Sequence, residues 1–88
     1  MVSFNYVIKD ELGIHARPAG LLVKEAGKLG STITICKGEK KGDAKKIFGI
    51  MGLAVKQNDE ITVTVEGDTE AAEAADAEVM KAFFEANL

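Results

Sequence analysis

The chain has 88 residues, 47% of them hydrophobic, 28% charged and 6% aromatic, with a formal net charge of −3. That length suits one domain over 1–88 with a small core; the one cysteine, Cys36, excludes an internal disulfide and paired-thiol chemistry, and no apolar run is long enough to cross a bilayer. Charge is divided along the chain, with ten basic and five acidic side chains in residues 1–56 against one and nine in residues 57–88. This polarity suits the steering of a charged partner, without the larger basic excess and aromatics of a nucleic-acid binder.

Residues 2–8 alternate, placing Val2, Phe4, Tyr6 and Ile8 on one side of a strand. The opening Met1–Asn5 lacks the basic-then-apolar layout of a secretory signal, so the cytoplasm is the expected location. From Ala16 to Leu29 the positions Ala19, Leu22, Val23, Ala26 and Leu29 follow helical spacing, with Gly30 as the predicted stop. Residues 31–36 alternate again through Ile33 and Ile35, and Lys37-Gly38 predicts a turn into a short strand from Glu39 to Gly42. Ile47 to Val55 is apolar on nearly every side and flanked by Lys45-Lys46, which predicts a brief helix. Residues 60–66 form a further alternating strand through Ile61, Val63 and Val65. The last segment opens on Asp68-Thr69 as N-cap candidates, has Glu70 and Glu73 in its first turn, and offers Ala72, Ala75, Val79, Phe83 and Ala86 as its inward stripe. The order β-α-β-β-α-β-α predicts an α+β fold, a four-stranded antiparallel sheet covered on one face by the helices.

Chemistry concentrates in Gly13-Ile14-His15-Ala16-Arg17-Pro18-Ala19, where the first strand's exit loop meets the first helix. The first amides of a helix have no intrahelical partner and the helix dipole adds positive potential there, so an anion is favoured. Pro18 falls in the first turn, where a missing N–H costs little. Arg17 offers a charged fork for two phosphoryl oxygens, and a neutral imidazole at His15 offers a nitrogen able to attack phosphorus. A lone histidine in a small protein is more often structural or merely exposed than catalytic, and spacing alone does not decide between the readings. One histidine without a cysteine pair or paired carboxylates cannot build a metal site, so no metal and no cofactor are expected.

The stretch Gly13 to Ala19 resembles the active-site signature of the HPr family, the histidine-containing phosphocarriers of the bacterial phosphoenolpyruvate-dependent sugar phosphotransferase system. The likeness extends to the order and length of the elements, to Ala44-Lys45-Lys46-Ile47-Phe48-Gly49-Ile50-Met51 and to the acidic closing segment. It implies an open-faced β-sandwich, four antiparallel strands under three helices. It also implies that His15 accepts a phosphoryl group on Nδ1 from phosphorylated enzyme I and passes it to enzyme IIA proteins, with Arg17 at the phosphoryl group and Ala16 and Arg17 as the phosphate-binding positions. Such a protein is a stoichiometric carrier rather than an enzyme. The signature has neither a general base nor a metal to activate water against the phosphohistidine, as a carrier requires.

Ile47 to Val55 holds more apolar side chains than one buried stripe can absorb. Ile47, Phe48 and Met51, beside Gly20, Leu21 and Lys24, are expected to form an apolar docking patch with a basic rim, the alternative being that they are all core. The resemblance assigns that patch to enzyme I and enzyme IIA, and a monomer is the expected state of a shuttle. In many Gram-positive relatives a serine at the start of the middle helix is phosphorylated by a dedicated kinase; here that position is Lys46, so serine-type regulation is expected to be absent at this site. A different class, a regulatory binding module on the same fold in which His15 is incidental, is the competing expectation.

Overall fold

The computed structural model describes residues 1–88, with β1 over Val2–Val7, α1 over Ala16–Gly27, β2 over Thr32–Lys37, β3 over Lys40–Asp43, α2 over Ile47–Met51, β4 over Glu60–Glu66 and α3 over Glu70–Asn87. The strands form one antiparallel sheet in the order β1-β4-β2-β3. β4, last in sequence, thus lies between β1 and β2, with Phe4 opposite Val63 on one side and Ile35 opposite Val63 on the other.

Alternation decides which face is covered. Ile33, Ile35, Ile61, Val63 and Val65 are buried beneath the helices, while Thr34, Thr62 and Thr64 occupy the opposite, uncovered face. Ala19, Leu22 and Ala26 come down from α1, Ile50 from α2, and Ala77, Met80 and Phe84 from α3 to close one core. Phe84 is its largest fully buried side chain; it meets Phe4 edge-on at 6.3 Å, and its carbonyl accepts a hydrogen bond from the Tyr6 hydroxyl at 3.0 Å. Burial raises the Tyr6 phenol above its ordinary pKa, with the Glu85 carboxylate adding to the effect.

Several sequence expectations need correction, among them the middle helix, which stops at Met51 rather than running to Val55. The short third strand runs one residue later than Glu39 to Gly42. Helix α1 ends at Gly27 rather than Leu29, because Lys28 and Leu29 bond back three residues to Glu25 and Ala26 and tighten the last turn. Gly30 is not its stop: the glycines with positive φ are Gly13 and Gly38.

The largest difference lies in α3. Ala72, Ala75, Val79 and Ala86 face solvent and Phe83 is half-buried, whereas the buried stripe is Glu73, Ala77, Met80 and Phe84. The alanine-rich stripe reads as the more apolar of the two, and polar ties select the one that opens on Glu73. The Thr69 hydroxyl caps the helix by accepting from the Ala72 amide at 3.0 Å, and Glu73 turns inward to accept from the Gly67 amide at 3.0 Å. Asp76 on the same side accepts from the Ser31 hydroxyl at 2.6 Å. A carboxylate that marks a solvent face in a sequence here anchors the helix to the ends of the two interior strands, β4 and β2.

Candidate functional site

His15 is the N-cap of α1, with extended backbone (φ −99°, ψ −176°) and no side-chain bond to the helix it opens. Its carbonyl accepts the first helical bond, from Ala19 at 3.0 Å. The amides of Ala16 and Arg17 therefore lie ahead of the helical ladder, and Pro18 has no N–H to contribute. No acidic side chain stands in the first turn to occupy those donors. The result is two free amides and the positive end of a 12-residue helix beside an imidazole that is about one third exposed.

The loop is held in place from below. Gly13 has φ +66°, and a Cβ there would collide with the Val55 carbonyl and Lys56 Cα. The next amide, Ile14, donates to the Val55 carbonyl at 3.1 Å, and the Ile14 side chain is buried. This local geometry requires glycine immediately before the buried anchor, and the anchor sets the position of His15.

His15 and Arg17 line one cleft with Asp10, Pro18, Leu21 and Asn87. Arg17 is exposed and enters none of the protein's ion pairs, so its fork remains available to an anion. Asp10 and Asn87 were not singled out in the sequence. Asp10 lies five residues before the histidine in an irregular loop, and Asn87 arrives from the far end of the chain with α3; neither has a spacing that marks it. Chemically the cleft combines a nitrogen nucleophile, a free guanidinium and two unpaired amides, a set suited to holding a phosphoryl dianion on an imidazole nitrogen.

Beside the cleft lies the apolar patch. Phe48 is 86% exposed, Leu21 46% and Met51 40%, exposures that exclude an all-core reading of these side chains. Lys24 is exposed beside Leu21 and lines the adjoining groove between α1 and α3. Gly20 is half-buried, and Ile47 is half-buried and packs on the core, so Ile47 belongs partly to the fold. Gly42 allows α2 to approach β3: a Cβ there would stand 2.5 Å from the Gly49 carbonyl oxygen. Lys46 is the exposed N-cap of α2 and offers no hydroxyl, while Lys45 reaches back to donate to the Leu29 carbonyl at 2.9 Å.

A family model described as the PTS HPr component phosphorylation site matches residues 2–86. The chain belongs to the HPr family. It is thus a phosphocarrier protein of the phosphotransferase system. The phosphocarrier protein HPr of Mycoplasma capricolum is 46% identical over 68 residues, which make up 77% of this chain and 76% of that protein. Among solved structures, HPr from Thermoanaerobacter tengcongensis is 39% identical over the whole of both chains, with a TM-score of 0.79. The Bacillus subtilis catabolite repression protein Crh, solved as a swapped dimer, is 33% identical over all of this chain and 98% of that one, with a TM-score of 0.75. The α+β, open-faced sandwich expected from the sequence is the observed HPr fold. No helix is long and apolar enough to cross a membrane.

Proposed function

We propose that His15 accepts a phosphoryl group from phosphorylated enzyme I through Nδ1 and hands it to enzyme IIA proteins, in the cytoplasm and as a monomer. The observation that carries this reading is the joint position of His15 and Arg17, a nucleophile at an uncapped helix start beside a guanidinium with no partner of its own. Arg17 and the Ala16 and Arg17 amides neutralise the phosphoryl charge, which favours the loaded state. The signature itself holds no base to activate water, and the carboxylate that lines the cleft, Asp10, stands nearest Nε2 rather than the nitrogen proposed to carry the group. Gly20, Leu21, Lys24, Ile47, Phe48 and Met51 form the docking surface, apolar at its centre and basic at its rim, for acidic partners. Lys46 leaves that surface without a serine switch.

The test is passage of label from phosphoenolpyruvate through enzyme I and this chain to an enzyme IIA. Label reaching enzyme IIA with the native chain and not with His15→Ala supports the reading; equal passage with both refutes it. The likeness to Crh favours one competing function, regulatory binding in which His15 is incidental. It requires that His15→Ala leave every partner interaction and its regulatory output intact while no label is transferred by the native chain.

A further inference from the structure

We infer that Asp10 is a positioning residue for His15, holding the imidazole with its proton on Nε2 and its lone pair on Nδ1; this rests on the carrier function proposed above. Asp10 Oδ1 stands 4.0 Å from His15 Nε2, and both side chains are about one third exposed, so the field between them is screened but not removed.

Asp10 is not a loose surface carboxylate. Its amide donates to the main-chain oxygen of Leu88 at 2.9 Å, its carbonyl accepts from the Gly13 amide at 3.0 Å, and Oδ1 accepts from the Leu12 amide at 2.9 Å. Backbone and carboxylate are therefore both fixed, and the oxygen that receives the Leu12 amide is the one nearest Nε2. Gly13 and Ile14, locked on Val55, fix the other side of the same loop. Two anchored residues thus present a carboxylate to one nitrogen of the ring and leave the other for chemistry.

A carboxylate near one imidazole nitrogen favours the hydrogen on that nitrogen, so the second nitrogen keeps its lone pair. During loading, the Nδ1 lone pair forms the N–P bond while the bond between phosphorus and the leaving atom of the phosphorylated protein donor breaks, its electron pair departing with that atom. The Nε2 proton stays in place and the ring becomes cationic opposite Asp10. Unloading reverses this: the acceptor's nucleophile bonds to phosphorus, and the N–P pair returns to Nδ1. No proton needs to move in either direction.

The test uses 15N-labelled, unphosphorylated protein at a pH where the ring is neutral, so its result does not depend on enzyme I. The native chain is expected to show mainly the Nε2–H tautomer. Asp10→Asn keeps an oxygen for the Leu12 amide but removes the charge, and is expected to raise the Nδ1–H share about threefold. Slow exchange of the Leu12 amide verifies that the turn is intact in the variant. An unchanged tautomer ratio in such a variant, or a predominant Nδ1–H tautomer in the native chain, overturns the inference. In the enzyme I reaction the same variant is expected to lower kcat several-fold with KM for the carrier unchanged; a change confined to KM would place Asp10 in docking and also overturn it.

Discussion

Gly13 lies against the main chain of Val55 so closely that no side chain fits between them, and this contact sets the height of His15 above the core. Gly13→Ala places a Cβ on the Val55 carbonyl at a φ of +66° that alanine tolerates poorly. The expected cost is about 2–3 kcal/mol of stability. Chemical denaturation measures it, and His15 resonances are expected to shift in the fraction that remains folded.

Ala54 presents the opposite case. It sits just after α2 with φ +52°, in the left-handed region, while its carbonyl accepts from the Lys37 ammonium at 2.8 Å. Glycine adopts that conformation without the Cβ penalty and keeps the carbonyl bond. Ala54→Gly is therefore expected to stabilise the protein by about 0.5–1 kcal/mol, a rise of several degrees in Tm.

Phe48 and Met51 separate docking from folding. Both are exposed, whereas Ile50 between them is fully buried. Phe48→Ala and Met51→Ala are expected to slow phosphoryl transfer about tenfold, with stability within ~0.5 kcal/mol of native. Ile50→Ala is expected to cost about 2–5 kcal/mol. Transfer kinetics and denaturation on the same three variants check the contrast.

Glu73 ties stability to acid. The Gly67 amide donates to its carboxylate and holds its pKa below the ordinary glutamate value. A carboxyl whose native pKa lies below its unfolded one stabilises the fold above the unfolded value, and that stabilisation disappears as pH falls through the native value. Glu73→Gln is expected to lower Tm at neutral pH, with the difference from the native chain closing in acid. Thermal melts from neutral to strongly acidic pH measure this, and a constant offset throughout would sink the assignment.

How much of this could be read in the sequence depended on how local each feature is. The strands were legible because Ile33, Ile35, Ile61, Val63 and Val65 alternate within short windows. His15 and Arg17 were legible because helix start, proline and nucleophile lie in one contiguous stretch. The inward face of α3 was not, because the true stripe opens on the acidic Glu73 while the alanine-rich stripe beside it reads as the more apolar, and the choice is made by Gly67 and Ser31, distant residues that bind Glu73 and Asp76. Asp10 was hidden for the same reason. Its approach to His15 follows from a loop closed by Leu88 and Val55, contacts that no local periodicity encodes.

The most direct measurement is the intact mass of the chain after incubation with enzyme I and phosphoenolpyruvate. The expected result is the addition of one phosphoryl group, lost on acid treatment, absent in His15→Ala and reduced in Arg17→Ala. Failure to gain the group with active enzyme I present, or an equal gain in His15→Ala, would refute phosphoryl carriage through His15.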